Sequence, residues 1–191
     1  MSKEGVAPEA RKLEAHREWS LHKSATDMLS YLGFCNYYRA LITDFSELAV
    51  PVYTLGQAAL IHWTPDLSHA FEPIRQAVLN APILRLHDPD RPFALETEAS
   101  SAAGGAVLNQ SDGTAEYPVG FYSMALSKPE RNYSAYEREL LALLKAVSHF
   151  AIYLRYEEFT WRTDHAALRN LFRAYLTLSS LGSRWILARQ P

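Results

Sequence analysis

Cysteine occurs once, at Cys35, so the chain can build neither an internal disulfide nor a cysteine zinc cage. No apolar stretch approaches the roughly 20 residues that a membrane helix needs. The polar start, Met1-Ser2-Lys3-Glu4-Gly5, has no signal-peptide core. A soluble intracellular protein, of cytoplasm or nucleus and without a membrane partner, is therefore expected. The seven histidines are scattered, with no HExxH and no paired spacing on one helix, which argues against a histidine metal site. Gly104-Gly105 lacks the glycine spacing of a dinucleotide or phosphate loop and is expected to mark a bulge or a close backbone approach. Ser123 and Ser134 lack the GxSxG context of a hydrolase nucleophile. Nineteen basic and twenty-one acidic residues give a formal charge of −2, so no global basic field advertises nucleic acid. The exception is local: from Arg155 onward six arginines stand against Glu157, Glu158 and Asp164. That segment could face a phosphate backbone, or simply carry solvated arginines on two helices.

What is present reads as helices first and a sheet second. Glu9 to Trp19 suggests a short charged helix, and Ser24 with Asp27 a capping-box-like start to a second one. Met28, Leu29, Leu32, Tyr38, Leu41 and Ile42 give that second helix an apolar face, with an interruption expected near Gly33. Ser46 is a candidate cap for a further helix through Leu55, and Thr64-Pro65-Asp66 is a helix start. Phe71, Ile74 and Val78 line the latter helix, and Pro73 is expected to kink or weaken it. His87 to Pro92 marks a rigid polar connection.

Three strands follow, Phe93–Thr97, Gly105–Asn109 and Tyr117–Ser123, with turn chemistry at Ser111-Asp112-Gly113, so an antiparallel meander is expected. Ser134 and Glu137 form a capping box for a long helix whose Leu140, Leu143, Val147, Phe150 and Leu154 share one face. A fourth strand, Phe159–Thr163, and helical pieces at His165–Phe172 and Ser180–Arg189 complete the reading. A domain boundary is expected just before Trp63, and Cys35 is expected to pack as a small apolar residue.

Three acids have a suggestive context. Glu98 closes the first strand, Glu139 lies in the early turns of the long helix, and Asp164 ends the fourth strand. With the fourth strand beside the first, all three can converge at one edge of the sheet. Hard divalent cations such as Mg²⁺ take oxygen ligands, and a pair of them about 3.5–4 Å apart can clamp a phosphodiester. Each acid alone fits equally well as a solvated carboxylate or a helix cap.

A series of words in register narrows the field: Leu32-Gly33-Phe34-Cys35-Asn36-Tyr37-Tyr38-Arg39, Trp63-Thr64-Pro65, Ala81-Pro82-Ile83-Leu84, Gly105-Ala106-Val107-Leu108, Phe121-Tyr122-Ser123, Glu139-Leu140-Leu141-Ala142 and Arg162-Thr163-Asp164-His165. Together they resemble the Pol polyprotein of gypsy-type LTR retrotransposons, from the end of the reverse transcriptase into its ribonuclease H domain. The resemblance implies an α/β, ribonuclease H-like mixed sheet over residues 63–191, preceded over residues 1–62 by helices like those of a reverse-transcriptase thumb or connection. It implies two-metal hydrolysis of the RNA strand of RNA–DNA hybrids, with Mg²⁺, or Mn²⁺, held by Glu98, Glu139 and Asp164, and the remainder of a Pol polyprotein as a partner.

The departures from the family are also informative. Glu98 stands where the family has the aspartate of an Asp-Ala-Ser triplet. The polymerase aspartates would lie upstream of this chain, and the family's last strand and fourth acid beyond Pro191. Met124-Ala125 replaces what is usually a basic pair. The pattern resembles a truncated or decayed copy, so an impaired endonuclease and a catalytically inert nucleic-acid- or protein-binding module of the same fold are both open.

Overall fold

The computed structural model describes residues 5–8, 10–18, 25–56, 65–155, 157–163, 168 and 185–188. Among the described residues, the α-helices α1 (Ala10–Arg17), α2 (Ala25–Tyr37), α3 (Phe45–Gly56) and α4 (Pro65–Leu79) precede the sheet. Ser24 and Trp63, named above as cap and boundary marker, lie outside the described residues, as does the helical piece at 165–172 apart from Leu168.

These helices bury one apolar face each. Phe71, Ile74 and Val78 of α4 are all fully buried, in the same cluster as Tyr31, Leu32, Cys35, Ala49 and Val52 from α2 and α3. Full burial of such side chains contributes roughly 1.5–3 kcal/mol each. Cys35 packs as the apolar residue expected, and burial pushes its thiol up to about 12. Two local expectations fail, at Gly33 and at Ser46. α2 runs through Gly33, because a helical glycine costs only about 1 kcal/mol and the buried neighbours Leu32 and Cys35 outweigh it. α4 runs through Pro73, whose exposed ring faces away from the core that fixes the helix. Ser46 does not cap α3: the helix opens at Phe45, and the carbonyl of Asp44 accepts the first bonds, from Glu47 N at 2.9 Å and Leu48 N at 3.2 Å.

The sheet contains β1 (Phe93–Ala99), β2 (Ala103–Ser111), β3 (Glu116–Ala125), β4 (Phe159–Arg162) and β5 (Trp185–Ala188), in the order β3-β2-β1-β4-β5. β1, β2 and β3 form the antiparallel meander, and β4 lies parallel to β1 in the register Glu96↔Arg162. β5 pairs parallel with β4, which corrects the helical reading of Ser180–Arg189. Trp185-Ile186-Leu187-Ala188 is too short an apolar run for periodicity to decide, and pairing along β4 decides it. At the β2–β3 turn Gly113 takes a positive φ of 89°, and Asp112 Oδ1 accepts from the backbone of Thr114 and Ala115, both at 3.0 Å.

Helix α5 (Ala135–His149) packs on β1 and β2. The capping box forms as expected: Glu137 N donates to Ser134 Oγ at 3.3 Å, and Ser134 N donates to the Glu137 carboxylate at 2.8 Å. The long helix is divided at Phe150, after which a single turn, α6 (Ala151–Leu154), continues. Leu143, Ala146, Phe150 and Leu154 meet Phe93, Leu95, Leu108, Phe159 and Trp161 in a second core. Odd-numbered residues of β1 therefore face α5, and Glu96 and Glu98 belong to the opposite face by strand alternation. That face of the sheet is approached by α3, with Phe121 of β3 joining the helical core. Ser46 and Ser123 fasten the two together: Ser46 N donates to Ser123 Oγ at 3.1 Å, and Arg39 donates to the Ser123 carbonyl at 2.5 Å. No helix among the described residues is long and apolar enough to cross a membrane.

Candidate functional site

Glu98 stands on β1 opposite Gly105 of β2, one residue before the strand ends, and is exposed. Glu139 is the fifth residue of α5, 8% exposed, and its Oε1 accepts the Ala99 N–H at 3.0 Å. The capping box fixes where α5 begins, and the burial of Leu143 and Ala146 fixes its rotation, so Glu139 is delivered to the end of β1. Ser100 closes the turn that follows: its N–H donates to the Ala103 carbonyl at 2.8 Å, and its Oγ accepts from Ala102 N and Ala103 N.

Glu98 and Glu139 line one open cleft of about 250 Å³, together with Ser100, Gly105 and two acids not anticipated from the sequence, Asp44 and Glu47. Asp44 has a positive φ of 53°, and a Cβ placed on Gly105 would collide with its Oδ1. Burial first, and then the charge of Glu47, push the Asp44 carboxyl up from its ordinary value. Gly104 is crowded from the other face, where an added Cβ would sit 3.2 Å from Ala142 Cβ. Both glycines thus permit close approach, as expected for the pair, and the register irregularity lies further along, at Leu108/Asn109. No sequence pattern marked Asp44. The one available signal was its place before the helix opening at Phe45, which reads as an ordinary turn acid.

Among the described residues, four carboxylates and no lysine or arginine line the cleft. Oxygen donors of this kind suit a hard divalent cation. A phosphodiester, itself anionic, would be repelled from such a cleft unless a cation stood between. The donor chemistry therefore fits Mg²⁺ or Mn²⁺. Among the described residues, however, no three histidine, cysteine or carboxylate side chains come together closely enough to hold an ion. Glu98 and Glu139 reach the same cleft. Asp164 lies outside the described residues, two positions beyond the Arg162 that pairs with Glu96 at 2.8 Å.

Comparison with known proteins agrees with this architecture. Residues 63–161 match the RNase H-like domain found in reverse transcriptase. The Transposon Tf2-3 and Tf2-4 polyproteins of Schizosaccharomyces pombe are each 37% identical over 175 residues, which is 90% of this chain and 13% of theirs. The chain thus spans about an eighth of the length of these relatives. The foamy viral protease-reverse transcriptase in complex with dsDNA superposes with a TM-score of 0.76 at 18% identity, covering 96% of this chain and 41% of that one. Its complex with RNA/DNA hybrid gives 0.74 at 18%, over 96% and 27% respectively. The ribonuclease H-like mixed sheet expected from the sequence is the fold observed, and the likeness to retrotransposon polyproteins holds over nearly the whole chain. This chain belongs to the family of RNase H-like domains found in reverse transcriptases.

Proposed function

We propose that this is the ribonuclease H-type domain of a retrotransposon reverse transcriptase, built to hydrolyse the RNA strand of RNA–DNA hybrids with two divalent cations but impaired in doing so by Glu98. The observation that carries this reading is the meeting of Glu98 and Glu139 in one anionic cleft at the end of β1. Bound Mg²⁺ or Mn²⁺ would supply a polarised phosphodiester and a water acidic enough to attack near neutral pH. Glu98 and Glu139 would hold the ions, with Asp164 as the third ligand. The hybrid and the remainder of a Pol polyprotein are the partners this reading implies, in keeping with the polyprotein relatives and with a fold seen on nucleic acid in the foamy viral enzyme.

Glu98 places its carboxylate about 1.5 Å further from the backbone than aspartate would. A misplacement near 1 Å can cost on the order of 10²-fold in rate, because nucleophile and phosphate lose alignment. Mg²⁺ is the less forgiving ion, since it demands near-octahedral geometry at short distance. A second reading, an inert module that binds hybrids or protein partners, draws on the bond between Glu139 Oε1 and Ala99 N–H, which commits one oxygen of the helix acid to the fold. Isothermal titration distinguishes the two. The first reading expects weak Mg²⁺ binding and tighter Mn²⁺ binding, both lost in Glu139→Gln. Tight binding of two Mg²⁺ would refute the impairment, and metal binding unchanged by Glu98→Gln and Glu139→Gln would refute the site.

A further inference from the structure

Two consecutive residues of α5 grip the same short stretch of backbone. Glu139 Oε1 accepts the Ala99 N–H at 3.0 Å, and Arg138 Nη1 donates to the Ser100 carbonyl at 2.8 Å. Successive helical residues project about 100° apart, so the two contacts restrain the stretch along different directions. The stretch is where β1 ends, one residue beyond Glu98, and its far side is already fixed by the Ser100–Ala103 turn. Helix and strand end are therefore tied at two adjacent points, and the spacing between the Glu98 and Glu139 carboxylates depends on both.

The arginine is an unusual choice for stability alone. Its Nε is buried and donates to no partner among the described residues, while Nη1 is spent on one neutral carbonyl. A buried N–H left without a partner carries a desolvation cost. What the arrangement secures in return is position: a planar, rigid guanidinium directed at the Ser100 carbonyl.

We propose that Arg138 is a positioning residue, which holds the end of β1 against α5 and so sets the separation of Glu98 and Glu139. The role rests on the reading of those two acids as the cation-holding pair. Residues around metal ligands that orient them are worth roughly 10- to 100-fold in metal affinity.

The test uses the full chain with Mn²⁺ as probe, free ion being counted by electron paramagnetic resonance, and amide hydrogen exchange at Ala99 as a readout independent of metal. Arg138→Gln is expected to weaken Mn²⁺ binding roughly 10-fold or more and to speed exchange at Ala99, with Arg138→Lys recovering part of both because it keeps a donor. Arg138→Met, which preserves the apolar stem, replaces Arg138→Gln should the latter not fold. Parent-like Mn²⁺ affinity in the arginine variants, alongside loss in Glu139→Gln, overturns the positioning role and leaves the metal site standing. Parent-like affinity in both Glu98→Gln and Glu139→Gln overturns the metal site instead, and exchange at Ala99 then decides whether Arg138 holds the strand end: unchanged exchange overturns that as well.

Discussion

Asp44 Oδ1 fills the space that any side chain at Gly105 would need. This contact brings a residue from the helical segment, outside the matched region of residues 63–161, against the strand position paired with Glu98. A side chain at Gly105 would therefore force Asp44 to shift, although the φ of Gly105 itself is unexceptional. Gly105→Ala should cost about 1–3 kcal/mol through overpacking. Asp44→Gly removes the clashing atom and also suits the positive φ of that position. The double variant should therefore be more stable than the sum of the single changes allows, a coupling that a double-mutant cycle on urea midpoints would resolve. Strict additivity would mean the two residues do not meet.

Asp44 also makes a prediction about pH. Burial and the neighbouring charge of Glu47 raise its carboxyl above the ordinary 3.8, so the folded state binds this proton more tightly than the unfolded chain. Its contribution is then complete below the ordinary value and is lost as pH rises through the raised one. Glu137 has the opposite sign: the backbone N–H and hydroxyl of Ser134 hold its carboxyl low, and its contribution is lost as pH falls. Asp44→Asn should therefore become progressively less destabilising, relative to the parent, between about pH 3 and about pH 7, whereas Glu137→Gln should become more so. Denaturant midpoints across that range give the two slopes, and slopes of the same sign would contradict the assignment.

Leu143 is fully buried in the core under the sheet, while its neighbour Leu144 is 54% exposed. Leu143→Ala should cost roughly 2–5 kcal/mol. Leu144→Ala should fall within about 0.5 kcal/mol of the parent. Comparable losses at the two positions would mean that the rotation of α5, and with it the delivery of Glu139, is wrong.

The parts of this fold that were legible in the sequence are those dictated locally. Ser134 and Glu137 mark the start of α5 because a reciprocal cap needs those two side chains three residues apart, and the meander shows because Ser111-Asp112-Gly113 can turn between strands. Glu98 and Glu139 were readable as candidates because strand-end and early-helix positions are where acids converge on a sheet edge, and the cleft brings both together. What escaped is decided by tertiary contact. Trp185–Ala188 becomes a strand through pairing with β4. Gly33 sits within a helix that buried neighbours hold in place. Asp44 joins the cleft because the helical segment lies on β3, where Phe121 enters its core and Arg39 and Ser46 bond Ser123.

The central claim is that the extra methylene of Glu98 displaces a cation ligand and so impairs cleavage, and the most direct measurement is release of labelled RNA from an RNA–DNA duplex in Mg²⁺. The account predicts no cleavage above background by the chain as it stands. Glu98→Asp should raise the rate by on the order of 10²-fold, and adding Glu139→Gln should abolish the gain. Robust turnover by the unaltered chain, eliminated by Glu139→Gln or Asp164→Asn, would contradict the account and establish Glu98 as a working ligand.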